Sequence, residues 1–522
     1  MPLVPTPLLD QLRTDDADAP AVVCAGHTWT RADIADEATR LASALVELGV
    51  GPGDRVAVVR RNSVLHFTAL LAANRIGAVL VPVNFRLPAR EVARILEDSR
   101  PRVTLCGPRH ADEIDDVQEW FTPTTWVVDD IDPVATAVSP DLPDRWLRLG
   151  RLMADATSAP PSRTVGSDDL VMLQYTSGST GRPRGVRIAV GNLAASWRGF
   201  EAALGIGPED VVLAGAPFGH VGGLNTLALQ TLLMGGVNIV QRQFDAHEAI
   251  TLIELYGVTT MFGVPSMYEA LAAQPDFPRR DMTSLRAAVV GGAPINAALL
   301  DELRGGGVPV VPSWGMTETC GGVTFLLPEE VATHPGSVGR VAAGSEVCRV
   351  PGPTGPLTCG GDADHPGELL VRGPVVTQGY WGCETSPVDD EGWLHTGDLG
   401  WIDAEGYVQL AGRLKELIIS GGENIWPAEI ENELRGHPDV ADVLVVGVPD
   451  ETWGETPALL LVTSAGRAPL SLAEIRSHLD GRLARYKLPR HVVPVPAIPL
   501  GRTGKPDRHA ARDLVLDALA RS

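Results

Sequence analysis

At 522 residues the chain exceeds what one hydrophobic core sustains, so more than one domain is expected. Its 65 acidic against 43 basic side chains, a formal charge of −22, argue against general affinity for nucleic acid or anionic membrane, both of which need an electropositive face. Any phosphate binding is left to local basic loops. Six cysteines, at 24, 106, 320, 348, 359 and 383, form no C-x-x-C pair and no metal-ligand spacing, and read as reduced, mostly structural thiols of a cytoplasmic protein. Met1-Pro2-Leu3-Val4-Pro5 carries no basic stretch leading into an apolar run, so no secretory signal is expected. The most apolar segment, 67–83, is interrupted by Arg75 and too short to span a bilayer.

In chain order, Ile34, Leu41, Leu45 and Leu48 recur at helical spacing over 30–48, and Gly49 stops that helix. A strand at 55–59, a helix at 67–74, a strand at 78–83, a helix at 89–98 and a strand at 102–106 follow. The acidic, Pro-rich stretch 128–144 reads as surface loop. Alternation resumes with strand 170–175, helix 191–204, strand 211–215, helix 224–234 and strand 238–240. Helix 245–256, strand 259–263, helix 266–273 and strand 285–291 continue it. Such alternation predicts an α/β fold with mostly parallel sheets. Several Pro and Gly residues over 350–365 suggest a turn-rich β region. Beyond Gly412 a compact α/β unit is predicted: helix 428–434, strands 440–448 and 458–462, helix 472–483 and an irregular tail.

Residues 175–186 read Y-T-S-G-S-T-G-R-P-R-G-V, with three glycines, four aliphatic hydroxyls and two arginines. Glycines let backbone N–H groups crowd an oxyanion, hydroxyls donate further bonds, and Arg182 or Arg184 supplies charge. The spacing is not that of a Walker A loop, which places Lys-Ser/Thr after its last glycine. Four further motifs follow: Trp314-Gly315-Met316-Thr317-Glu318; Thr396-Gly397-Asp398; Gly412-Arg413-Leu414-Lys415-Glu416 running into Gly421-Gly422-Glu423-Asn424; and Pro499-Leu500-Gly501-Arg502-Thr503-Gly504-Lys505. Together, in this order, they resemble the signature series of the adenylate-forming superfamily, which joins acyl- and aryl-CoA synthetases, peptide-synthetase adenylation domains and firefly-type luciferases. The likeness spans nearly the whole chain and is nearest to the stand-alone acyl-CoA ligases.

The resemblance implies a large adenylation domain, 1–414, and a small mobile α/β domain, 415–522, hinged at Lys415. It implies ATP, Mg2+ and CoA as cofactors. Thr176, Ser177, Gly178, Ser179, Thr180, Gly181 and Arg184 are expected to hold the β- and γ-phosphates, Thr317 the α-phosphate, and Glu318 the Mg2+, a hard cation suited to a carboxylate. Trp314 stands where a tyrosine usually lies against adenine, flanked by Gly315 and Met316, while Gly291, Gly292, Ala293 and Pro294 fit the wall between adenine and acyl group. Asp398 and Arg413 are expected at the ribose. Lys505 is implied to bridge carboxylate and α-phosphate oxygens during adenylation, and Gly421, Gly422 and Glu423 to line a pantetheine tunnel after the small domain rotates.

Phe218, Gly219 and His220 are expected in the acyl pocket with Gly291 and Ser313, His220 lying toward the thiol. Three positions depart from the commonest pattern: Arg184 replaces a lysine, Gly219 a bulky residue and Ser313 a glycine. The loss of volume at Gly219 implies a wider pocket, suited to a ringed or bulky acid such as an arylalkanoic, o-succinylbenzoate-like or polycyclic one. The function expected is therefore an AMP-forming acyl-CoA ligase acting on a small-molecule carboxylic acid, as a monomer or homodimer. Transfer to a carrier protein in trans is the alternative, and a non-catalytic nucleotide-binding regulator the third.

Overall fold

The computed structural model describes residues 7–12, 16–115, 124–134, 142–157, 159–160, 163–177, 183–350, 355–363, 365–420, 423–425, 427–480, 482–483, 485–501 and 505–521. The chain forms two compact units. One comprises 1–346 with 371–394, the other 347–370 with 395–522.

In the first unit one sheet runs in the order Leu147–Arg148, Thr125–Val128, Val103–Cys106, Arg55–Val59, Val79–Val83, Leu170–Ser177, Pro183–Ala189. Every neighbour pair is parallel except the last. Side chains on these strands alternate between two cores: Val56 and Val58 join one, Ala57 and Val59 the other. Helix Arg31–Glu47 opens with a capping box in which Thr30 accepts from the Asp33 amide and Asp33 accepts from the Thr30 amide. Helix Val64–Ile76 buries every side chain but that of Arg75, as befits a helix packed on several sides. No helix among the described residues is long and apolar enough to cross a membrane.

The second strand series of this unit runs His27–Thr30, Pro20–Cys24, Val237–Val240, Val211–Ala214, Thr260–Gly263, Ala287–Val290, Val310–Met316, Gly321–Phe325, Ser337–Val341. Its middle is parallel and its ends antiparallel. In the second unit, strands Val440–Asp450 and Gly454–Thr463 pair antiparallel and send Val443, Val445, Leu459 and Leu461 to one face and Leu444, Val446, Val448 and Leu460 to the other. Helices Pro427–Arg435 and Leu472–Leu479 cover the first face, and helix Arg508–Leu519 the second.

Several expectations need correction. The irregular tail is the helix Arg508–Leu519, capped by Asp507, with Ala511 and Val515 buried. The helix expected over 224–234 is two, Val221–Leu224 and Ala228–Met234, and the one expected to reach 483 stops at Leu479. The acidic stretch 128–144 is not merely solvated, because Asp129 and Asp132 turn inward to pair with the fully buried guanidinium of Arg60. Nor are all six cysteines reduced: Cys348 and Cys359 form a disulfide, brought face to face by the antiparallel bridge between Arg349 and Thr358. Eleven residues of separation gave no motif to reveal it.

Candidate active site

The two arms that flank the glycine-rich segment, Leu170–Ser177 and Pro183–Ala189, pair antiparallel. Tyr175 pairs with Gly185, Thr176 with Arg184 and Ser177 with Pro183, while 178–182, including Gly178, Ser179, Thr180 and Gly181, lie outside the described residues. Tyr175 is buried and its hydroxyl donates to Asp98, which anchors the first arm to helix Ala89–Ser99. The guanidinium of Arg184 stands 5.3 Å over the ring of Tyr380. The Tyr380 hydroxyl in turn donates to Glu318 Oε1 at 2.8 Å. Burial, followed by the charge of Glu318, raises the Tyr380 hydroxyl above its ordinary range, so it remains a donor.

Glu318 lies in the short turn Thr317–Thr319 that ends strand Val310–Met316. The Thr319 hydroxyl accepts from the Met316 amide at 2.9 Å and reaches the Gly321 carbonyl at 2.8 Å, closing the turn. The Thr377 amide donates to the Glu318 carbonyl at 2.8 Å. Main chain and side chain of Glu318 are thus both held, by Thr377 and Tyr380. Neither residue was singled out in the sequence, since they are brought there by tertiary pairing of Val186 with Tyr380. Among the described residues no group of three His, Cys, Asp or Glu is arranged to hold a metal. One carboxylate fits Mg2+, which commonly takes one or two carboxylates and completes its shell with phosphates and water.

Trp314 is 5% exposed and packs inside the unit. Along its strand Ser313 and Gly315 are more open, as alternation demands. Phe218 is also core, set edge to face against His66 and Phe67 rather than lining a void. The volume missing at Gly219 is taken up by backbone, because a Cβ there would lie 2.5 Å from Asn84 N and Cα. It does not widen a pocket. Half-buried Phe262, near the carboxyl end of strand Thr260–Gly263, packs its ring against two glycines. A Cβ on Gly222 would meet its ring at 2.2 Å and one on Gly291 at 3.4 Å, the latter also 3.2 Å from the Ser313 carbonyl. Gly292 beyond it adopts φ +81° and is exposed with Pro294, while Ala293 is half-buried. His220 Nε2 lies 3.0 Å from the Asn84 side-chain amide.

In the second unit, Asp398 and Arg413 face each other on paired strands Leu394–Ile402 and Tyr407–Arg413, with Arg413 Nε 2.8 Å from Asp398 Oδ1. The sequence placed these two together, and so does the fold. Asp398 is 6% exposed, and the preceding turn is fixed by Thr396 on the Leu369 carbonyl and by the Gly397 amide on Glu368. Lys415 lies exposed in the short turn Leu414–Glu416. Next to it, Glu416 and Glu431 grip Arg508, each at 2.9 Å. Burial opposes the Arg508 charge, yet the two carboxylates raise its pKa, whereas burial raises that of Glu416. Lys505 is exposed, and its carbonyl accepts from the Gly501 amide at 2.7 Å. Glu423 starts the strand Glu423–Ile425, while Gly421 and Gly422 fall outside the described residues.

Residues 9–381 match the AMP-binding enzyme family and 429–505 the AMP-binding enzyme C-terminal domain. A feruloyl-CoA synthase of Amycolatopsis sp. is 38% identical across 93% of this chain and 94% of its own. A fatty acid–[acyl-carrier-protein] ligase, ScoC, of Streptomyces coeruleorubidus is 35% identical across 95% and 93%. The structure of O-succinylbenzoate coenzyme A synthetase from Bacillus subtilis, in complex with ATP and magnesium ion, superimposes with a TM-score of 0.82 at 29% identity, over 97% of this chain and 98% of that one. The chain belongs to the AMP-binding enzyme family and is an AMP-forming ligase of the acyl-CoA synthetase type.

Proposed function

We propose that the protein activates a bulky hydrophobic, aryl, alicyclic or polycyclic carboxylic acid with ATP and passes the acyl group to CoA. The acid's oxygen attacks the α-phosphorus, pyrophosphate leaves with the electron pair of the broken P–O bond, and the CoA thiol then displaces AMP from the acyl-adenylate. The observation that carries this reading is Glu318, bonded to Tyr380 while Arg184 caps the same ring. A hard carboxylate and a guanidinium, next to a hydroxyl-rich segment, suit a nucleotide's phosphates and their cation.

In this reading Glu318 holds Mg2+, which when bound neutralises charge on the phosphate oxygens. Thr176, Arg184 and Thr317 orient those oxygens, and Asp398 accepts from the ribose hydroxyls with Arg413 alongside. Lys505 supplies a point charge during adenylation only, and the small domain turns about Lys415 between the two half-reactions. The half-buried ring of Phe262 between Gly222 and Gly291 favours an aryl or alicyclic acid, and similarity to a feruloyl-CoA synthase supports that class. Similarity to a carrier-protein ligase keeps a second reading, transfer to a carrier thiol in trans.

The test is pyrophosphate release with ATP and Mg2+ over aliphatic, aryl and polycyclic acids, each with and without CoA. Acid-dependent release that turns over with CoA is expected, fastest for ringed acids. Release that stays stoichiometric with CoA but turns over with a carrier protein supports the second reading, and release independent of any acid refutes both. Lys505→Ala should abolish acyl-AMP formation and spare thioester formation from supplied acyl-AMP.

A further inference from the structure

We infer that Asn84 is a positioning residue for His220, setting which ring nitrogen carries the proton. The segment Ala216–His220 is fastened from the ends of two adjacent parallel strands. After Arg55–Val59 comes Asn62, fully buried, whose amide donates to the carbonyls of Ala216 (2.9 Å) and Gln241 (3.1 Å) while its oxygen accepts from the Phe218 amide (2.9 Å). After Val79–Val83 comes Asn84, 5% exposed, whose Nδ2 lies 3.0 Å from His220 Nε2.

The orientation of the Asn84 amide follows from its other partner. Its oxygen accepts from the Arg86 backbone N–H at 3.1 Å, a group that can only donate. The nitrogen therefore faces His220, and an amide nitrogen can only donate. His220 Nε2 must then be the acceptor, and in the neutral ring the proton sits on Nδ1. Gly219 makes the contact feasible. A Cβ at 219 would press on Asn84 N and Cα at 2.5 Å and on the Val83 carbonyl carbon at 2.9 Å, so only glycine lets the two segments close up. The bare position beside His220 thus brings a donor to the imidazole.

The consequence for catalysis rests on the proposed function and on the expected place of His220 in the acyl pocket, toward the thiol. There, the fixed tautomer points an N–H donor from Nδ1, and turns Nε2 away to Asn84. Replacing Asn84 by Asp keeps an oxygen for the Arg86 amide but puts a charged acceptor where the donor was, so Nε2 must carry a proton, in the neutral Nε2–H ring or in the imidazolium. The experiment is 15N NMR of histidine-labelled protein, with the His220 resonances assigned by their loss in His220→Gln, alongside the rate of thioester formation from supplied acyl-AMP. Wild type is expected to show a protonated Nδ1 and an unprotonated Nε2, N84D a protonated Nε2, and the N84D rate should fall tenfold or more with an unchanged apparent KM for ATP in adenylation. A protonated Nε2 in the wild type, or spectra that N84D leaves unchanged, overturns the tautomer assignment. The expected spectra with an unchanged rate leave the geometry intact but remove His220 from the reaction, and with it the positioning role.

Discussion

Replacing Gly315 by alanine is expected to damage stability and adenylation together. A Cβ at 315 would lie 2.0 Å from the Gly321 carbonyl oxygen and 2.8 Å from Gly321 C and Gly322 Cα. All three are backbone atoms of the paired strand and cannot rotate away. Carbon and carbonyl oxygen approach no nearer than about 3.3 Å, so strand Gly321–Phe325 would have to retreat by roughly 1.3 Å. Overpacking of this kind costs about 1–3 kcal/mol, and loss of one or two ladder hydrogen bonds adds about 1 kcal/mol each, giving about 2–5 kcal/mol in all. That is a large share of the ~5–15 kcal/mol that holds a domain folded. The same retreat pulls the Gly321 carbonyl from Thr319, opening the turn that presents Glu318. Urea unfolding and acid-dependent pyrophosphate release would measure both effects, with Gly305→Ala as control. Gly305 ends a helix with nothing within 4 Å of its would-be Cβ and should gain about 0.4–1 kcal/mol. A Gly315→Ala protein with wild-type unfolding midpoint and wild-type pyrophosphate release would refute the reasoning.

Tyr380→Phe removes the donor to Glu318 and leaves the ring under Arg184, so adenylation efficiency should drop about tenfold, the equivalent of one charge-assisted hydrogen bond, with a higher Mg2+ requirement. A Mg2+ titration that matches the wild type would detach Tyr380 from the site. His66 is buried neutral, its pKa pushed down to about 3 by burial and then by the charge of Arg60. The unfolded histidine takes a proton near pH 6.5 and the folded one does not, so its contribution is complete above about pH 6.5 and shrinks toward pH 3, on the order of 1 kcal/mol per pH unit. His66→Gln should therefore lose less stability than wild type between pH 7 and pH 5, and parallel pH curves would exclude His66 as the cause. Cys359→Ser opens an 11-residue loop and should lower stability by about 3 kcal/mol in the chain-entropy account. Reductant should reproduce that loss in the wild type and have no further effect on the variant; an equal response of both proteins would discount the bond.

The parallel layers were legible because buried strands write themselves as short apolar runs. Arg55–Val59 has the predicted bounds, and Val79–Val83 and Val103–Cys106 each start one residue later than expected. The strands Ser337–Val341 and Glu346–Val350 were not recognised, since the first mixes glycine with charge and the second buries a charged residue, Arg349, so neither reads as an apolar run. Helix Arg508–Leu519 was missed because its buried side is narrow: Ala511 and Val515, one turn apart, are its fully covered positions. Asp398 and Arg413 were legible as motif residues, whereas Tyr380, Thr377, Asn84 and Phe262 were not. Each of those four reaches its partner by long-range packing, and no local spacing encodes a contact across 62 or 136 residues.

The motif glycines invite a reading as loop flexibility, and the structure assigns several of them a different physical task. Gly315 and Gly219 have ordinary φ; what they lack is a Cβ, and in each case backbone occupies the place where it would be. Gly222 does the same for the ring of Phe262. Close backbone approach is the cheapest way to fix a neighbouring functional side chain, because it removes freedom without burying another polar group that must find a partner. Glu318 follows Gly315 by three residues and His220 follows Gly219 by one, so the rigidity falls on the two side chains proposed for the chemistry. A glycine read as vacant volume predicts a wider pocket and tolerance of alanine, whereas a glycine read as contact predicts strain. At Gly219 the 2.5 Å approach of Asn84 decides for contact.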